Sequence, residues 1–443
     1  MSAPDARVAA AAPGAPRALV ALGRNWPWLA LLALAILVPW IFFDWSKGRH
    51  SGFAVSLLSQ MGMMVVFSLS YNMLMGQSGL LSFGHAVFFG LAGYVTVHVM
   101  NAIRLGAFWL PQELLPLVGA GAGLLFGVIF GYMVTKQRAT AFAMITLGLG
   151  ELVTAAAVMF VGFFGGEGGV TTNRMLKTSL LGLSYGPSIQ VYYLILAWTA
   201  ISVALMLLLT ATPLGRMATA CRDNHERAQF VGYDPRMVRF YQFALAGGFA
   251  GVAGALYAIT YEIVTYDAAN AVMSGNALLM TFIGGVGVFW GPIVGAVLIT
   301  LLQSWMSLLS SAWLIYVGVL FIVMVIYAPG GIAGLVMAHR PIWQAGRLGA
   351  LALPYLRIVP LGLVAIIGFV GLVELCTFAT IGAGQGKTLV LLHRELDTGS
   401  AVPWVVAAAL LAGGGGLMLR ESRRFAAAWN SIGEEIKAEE PLR

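Results

Sequence analysis

Glu151, in the run ITLGLGEL, is the one carboxylate in an apolar stretch covering residues 140–161. An ionisable group inside such a stretch is costly and fits three roles: a proton-relay carboxylate, a polar anchor to a neighbouring helix, or a group near enough to a surface to be solvated. With no His or Lys close by to complete a proton path, the anchor is the favoured role. Asn72, Gln77, Ser78, Ser82 and His85 form a second candidate group, in SYNMLMGQSGLLSFGHAVFFGLAGY from Ser70 to Tyr94. Polar side chains in a glycine-loosened, membrane-buried stretch should face protein or a water-filled route rather than lipid. For Asn72 and His85, an interhelical hydrogen bond that only fixes packing is an equal alternative. His85 has no second His, Cys or carboxylate at ligand spacing, so no metal site is expected. GAGQGKT at Gly382–Thr388 approximates a phosphate-binding loop, but Ile381 stands where the pattern needs its first glycine, and no strand precedes it. With no nucleophile elbow and no paired carboxylates in a plausible pocket, no catalytic residue is expected.

The elements that position these residues follow from composition. The 443 residues are 59% hydrophobic and only 10% charged, with mean hydropathy +0.86, which excludes a water-soluble fold. The apolar runs are near 20 residues, the length a helix needs to cross about 30 Å of hydrocarbon, whereas barrel strands would be runs of about ten alternating residues. The fold class is therefore an all-α polytopic membrane protein. The formal charge of +7 sits in loops beside apolar runs, so it reads as a topology signal toward an anionic leaflet and not as a nucleic-acid surface. Cys221 and Cys376 imply no disulfide framework.

In chain order, residues 1–27 read as a disordered cytoplasmic tail. Arg7, Arg17 and Arg24 precede an uncleaved first span at 28–43. Further spans are expected at 53–75, 80–100, 114–135, 140–161, 191–210 and 240–261, with a helix break at Gly76 and Gly79. Lys136 and Arg138 mark a cytoplasmic turn, and the loop over 165–188, with Glu167, Arg174 and Lys177, an outer one. Residues 268–306 are interrupted by Gly284, Gly285, Gly287 and Pro292, and form either two short spans or a re-entrant hairpin. A span at 313–335 completes a transmembrane domain over 28–337. Residues 338–443 form an extension with two more spans, 358–381 and 402–419, and a charged tail; both termini are placed in the cytoplasm.

The one long polar interruption in mid-chain runs from Thr212 toward the Gly/Ala-rich helix ending near Tyr261, with a cytoplasmic loop at 212–239. There Arg216, Arg222, Arg227, Arg236 and Arg239 alternate with Asp223, Asn224, Glu226 and Asp234. Pro213-Leu214-Gly215-Arg216, Arg222-Asp223-Asn224, Ala228 and Gly232 resemble the coupling segment of permease subunits of ATP-binding-cassette importers, in particular the branched-chain amino acid family. Asn72, Gly76, Gly79, Ser82, Gly84, His85 and Ala86 match that family's glycine-rich pattern. The resemblance covers residues 52–335. It implies about ten core helices of the vitamin B12/ribose importer type in a bacterial inner membrane, with the two C-terminal helices as an addition. It also implies a homologous second permease subunit, two cytosolic ATP-binding subunits that carry ATP and Mg, and an extracytoplasmic solute-binding protein, with no cofactor on this chain. The solute would be a branched-chain amino acid or a related small organic molecule. A helix over 222–233 would enter the ATPase, with Arg222, Asp223 and Glu226 in contact. The competing class is a stand-alone secondary transporter or channel that uses Glu151 and His85.

Overall fold

In lipid a run of apolar residues can satisfy its own backbone only as a helix, and the chain folds accordingly. The computed structural model describes residues 17–44, 49–137, 139–176, 178–380, 388–391, 394–398 and 400–439. The expected tail up to residue 16, the basic Arg138, Lys177 and the GAGQGK run lie outside them. The chain divides into two units, 1–278 and 279–443.

In the first unit Arg17–Ile41 forms α1, starting eleven residues before the expected span. Ala18, Leu19, Ala21 and Leu22 are good helix formers, so the part of the supposed tail from Arg17 onward is helical. A short ribbon, β1 (Phe43–Asp44) with β2 (Arg49–His50), leads to α2 (Gly52–Asn72), which runs on into a π-turn at Met73–Gln77. Next come α3 (Ala86–Arg104), α4 (Leu115–Val134), α5 (Ala139–Met159) and the short α6 (Val161–Phe164). The loop after α6 is held by β3 (Val170–Thr171), and then come α7 (Ser188–Ala211), α8 (Pro213–Asp223), α9 (His225–Phe230) and α10 (Pro235–Tyr261). β4 (Ile263–Val264) pairs with β3.

The Gly/Ala sequence of α10 makes it the centre of this unit, because small side chains let backbones touch. Gly119, Gly123 and Gly127 of α4 meet Gly251, Gly247 and Ala244 of α10, and a Cβ placed on Gly251 would lie 2.1 Å from the Gly119 carbonyl oxygen. On another side, a Cβ on Gly254 would lie 2.0 Å from the Phe89 carbonyl of α3. The loop over 165–188 is tied to the C-terminal end of α10: Arg174 donates to the Thr260 and Gly186 carbonyls, and its backbone N–H to Glu262. Thus Arg174, read from the sequence as part of an outer loop, also ties that loop to Glu262.

A final helix of the first unit, α11 (Ala271–Gly284), crosses the division between the units. At 14 residues it rises about 21 Å, too short to span. In the second unit its last residues turn back against α12 (Gly291–Leu309): a Cβ on Gly284 would lie 2.0 Å from the Gly291 carbonyl, and one on Gly295 1.8 Å from that of Met280. Gly284 and Gly285 of the expected break thus close a tight helical hairpin with Gly291, and Pro292 sits in the first turn of α12, where its missing N–H is harmless. The expected span at 313–335 is α13 (Trp313–Tyr327) and α14 (Gly331–Gln344), bent by 41°. α15 (Leu348–Thr380) and α16 (Ala401–Glu439) pack as an antiparallel pair joined through the β5–β6 ribbon (Thr388–Leu391, Arg394–Asp397). A Cβ on Gly368 would lie 2.3 Å from the Leu411 nitrogen, and Tyr316 of α13 donates to Glu374 of α15 at 2.7 Å.

Among the described residues nine helices are long and apolar enough to cross a membrane, or ten when α13 and α14 count as one bent span. The fold is all-α and polytopic. The difference from the twelve expected spans lies in α1, whose apolar part is only Ala30–Ile41, and in the short α11.

Candidate functional site

The hydrophobic residues Leu80 and Leu81 suggested a helix over 80–100, yet α3 starts only at Ala86. Residues 80–85 run outside any helix, because Gly79 adopts φ +66°, a conformation glycine reaches at no steric cost. Side chains of other helices then satisfy the freed backbone. Thr146 Oγ1 of α5 accepts from Phe83 N at 3.2 Å, and Ser274 Oγ of α11 accepts from Ala86 N at 2.9 Å. Gly84 makes the first contact possible, since a Cβ there would lie 1.9 Å from the Thr146 carbonyl.

His85 is fully buried and lies among the rings of Phe67, Tyr71 and Phe88. Ser70 donates its hydroxyl to the Phe67 carbonyl at 2.7 Å and meets His85 Nε2 at 2.9 Å. A hydroxyl already donating can only accept, so the imidazole carries its proton on Nε2. This geometry ties His85, at the start of α3, to Ser70 of α2. Ser78 donates to the Met73 carbonyl. Asn72 Oδ1, Gln77 Oε1, Ser82 Oγ and His85 Nδ1 are buried without a hydrogen bond to any described residue. Fourteen residues thus hold a concentration of polar atoms in an otherwise apolar interior.

The polar loop also differs from expectation. Asn224 is extended, and its side chain caps α9 by accepting from Arg227 N at 2.9 Å, a usual use of asparagine at a helix start. The single helix expected over 222–233 is therefore two, broken at Asn224. Thr212 and Asp234 cap α8 and α10 in the same way, each before a proline. α9 ends at Phe230, and the chain turns away at Gly232, φ +92°, with Tyr233 N returning to the Ala228 carbonyl. Ala228 is no surface contact: with Ala218, Cys221 and Val238 it forms the small core of the loop. Burial first, with the nearby Asp234 carboxylate, pushes the Cys221 thiol up. In a Cys376→Ser background, Cys221 should react with an uncharged maleimide about tenfold more slowly in the folded chain than in the unfolded one. Equal rates would mean that this core is not formed.

Arg222, expected to point at a partner, turns inward. Its guanidinium donates to the Gly76 carbonyl in the π-turn and is held by Asp223 at 2.9 Å. Its stem occupies the space a side chain at Gly79 would need, 2.8 Å from a Cβ built there. The loop and the helix break, read as separate features in the sequence, meet at this residue. Glu226 is exposed. The feature that sequence reasoning missed is apolar: Phe230 is 88% and Val231 68% exposed, beside exposed Tyr233 and Met237. A Phe-Val pair inside a run of charged residues was the signal available.

Glu151 lies at the middle of α5 on its exposed face, with Met144, Gly148, Leu152 and Ala155. Helical periodicity sends Phe142, Thr146, Gly150 and Val153 inward and leaves Glu151 outward. It makes no hydrogen bond or ion pair with any described residue, so no anchor from Glu151 to a neighbouring helix is formed among the described residues. No group of three or more His, Cys, Asp or Glu side chains fit to hold a metal occurs among the described residues.

Interrupted helices in a membrane are a feature of many transport proteins, and this chain has such a break, pinned by Arg222 of its polar loop. Residues 53–328 match the family model described as "Branched-chain amino acid transport system / permease component". The chain belongs to this family and is a permease subunit of the ABC importer type. It is 26% identical to the high-affinity branched-chain amino acid transport system permease protein LivM of Escherichia coli (strain K12), over 69% of this chain and 73% of that protein. The LivM protein of Salmonella typhimurium is 27% identical over the same shares. The autoinducer 2 import system permease protein LsrC of Yersinia enterocolitica is 31% identical over 44% of this chain and 53% of that protein. No solved structure matches the chain.

Proposed function

We propose that this chain carries a branched-chain amino acid, or a small organic solute like it, by alternating access driven by ATPase subunits that hold α8 and α9. The observation that carries this is the Arg222 guanidinium on the Gly76 carbonyl. Force applied to the polar loop reaches a π-turn beside unpartnered polar atoms, without crossing compressible side-chain layers. Such a contact gives a nucleotide-driven closure a two-state element to bias. Asn72, Gln77, Ser78 and Ser82 then line or gate the route, while His85 holds its wall. ATP and Mg belong to the partner chains, and an extracytoplasmic binding protein delivers the solute. In this orientation the loop and both termini face the cytoplasm. Glu151 is placed where the second permease subunit covers α5, because a bare carboxylate facing lipid would be penalised.

Solute uptake into proteoliposomes tests the proposal. Uptake should require the ATPase subunits, the binding protein and ATP. Gradient-driven uptake by the chain alone would overturn it in favour of a secondary transporter. Within the proposal, Phe230 is the anchor for the ATPase, since exposed aromatics on polar surfaces dominate binding. Phe230→Ala should reduce ATPase co-purification by about tenfold or more with membrane insertion unchanged. Undiminished co-purification would remove α9 from the interface.

A further inference from the structure

The second unit holds a groove of about 520 Å³ between the α11–α12 turn and α14. Its residues come from one face of α14. Gly331, Ala333 and Ile342 are buried, which leaves Val336, Met337, Arg340, Trp343 and Gln344 on the open side at helical spacing. Trp290, from the start of α12, forms the opposite wall. One end is closed by backbone contact, because a Cβ on Gly331 would lie 2.6 Å from the Gly285 Cα. The other end carries Arg340, exposed and without a hydrogen bond or ion pair to any described residue.

α14 passes here from apolar residues to His339 and Arg340, and its bent partner α13 is wholly apolar. The groove therefore lies where the hydrocarbon gives way to water. From Ala268 to Val373 the sequence has no acid, while Arg340, Arg347 and Arg357 fall within it. Arg347 is paired with Glu435, so among the described residues Arg340 is the unneutralised cation at the groove. Two tryptophans suit the headgroup level, where an apolar ring meets polar surroundings, and concave sites of 300–1,000 Å³ hold single small ligands.

We propose that this groove is a site for one anionic phospholipid, with acyl chain along Val336 and Met337, glycerol between Trp290 and Trp343, and phosphate at Arg340 and Gln344. Ordinary solvation by bulk lipid would fill the apolar wall without regard to headgroup. A lone cation at the rim makes the headgroup matter, as basic pockets at membrane surfaces do for acidic lipids.

Native mass spectrometry of the purified full chain, titrated with phosphatidylglycerol or phosphatidylcholine, tests this. One phosphatidylglycerol should be retained in preference to phosphatidylcholine. Arg340→Gln and Trp343→Ala should each weaken its binding by about five- to tenfold, while Arg357→Gln, outside the groove, should not. Both groove side chains are exposed, so these variants should fold, and an unchanged melting temperature without lipid checks it. Equal retention of the two lipids, an unaffected Arg340→Gln variant, an equal loss in Arg357→Gln, or full competition by soluble glycerol phosphate would each overturn the proposal. None of these outcomes depends on the importer mechanism proposed above.

Discussion

Replacing Arg222 by glutamine should lower solute uptake by about tenfold or more while the assembled complex still hydrolyses ATP near its original rate. A hydrogen bond from a charged group contributes about 1.5–3 kcal/mol when its partners are shielded. The Arg222 side chain is 36% exposed, so the lower figure applies, and that corresponds to about tenfold in an equilibrium. If the contact exists in one access state and not in the other, its loss moves the balance between them by that factor. Arg222→Lys keeps the charge but not the planar fork that reaches the Gly76 carbonyl, and should fall between. Uptake and hydrolysis measured on the same vesicles give the ratio. Both falling together would assign Arg222 to ATPase assembly, the role its place in the sequence first suggested.

The second large effect is steric. Gly84→Ala places a methyl 1.9 Å from the Thr146 carbonyl oxygen, and both sides of that contact are backbone, so no rotamer change relieves it. Either the strand of chain over 78–85 leaves α5, giving up the Phe83–Thr146 hydrogen bond, or α5 moves. Overpacking of this kind costs about 1–3 kcal/mol and often more where backbone must shift. Gly148→Ala, on α5 itself, is the control, with nothing within 4 Å of the added carbon. Thermal unfolding of the detergent-purified chain should show a clear fall for Gly84→Ala and almost none for Gly148→Ala. Equal behaviour would mean the crossing segment is not held as described.

These two residues also show what the sequence does and does not reveal. Hydropathy located every helix from α2 to α16 that can span, because partition into lipid depends on composition over about 20 residues. It misplaced the start of α3, since Leu80 and Leu81 read as membrane-embedded whether or not they are helical, and the φ of Gly79 is invisible to a hydropathy sum. The glycines of the break were legible by type. Their purpose was not, because Gly84 answers to a carbonyl 62 residues away. In the polar loop, residue identity predicted contacts while geometry reassigned them: Asn224 to a cap, Ala228 to a core, and Arg222 to an inward hydrogen bond. A side chain's direction depends on which helix face is already occupied, and one sequence does not carry that information for Glu151.

The seam between α4 and α10 is backbone against backbone where Gly119, Gly123 and Gly127 meet Gly247 and Gly251. Gradual creep between two helices proceeds by small rotamer adjustments, and here there are none to make. Any relative slip would have to jump a whole turn, unlocking several carbonyl contacts at once. During a transport cycle these two helices should therefore travel as one girder, and the bending should be confined to the looser joints around it.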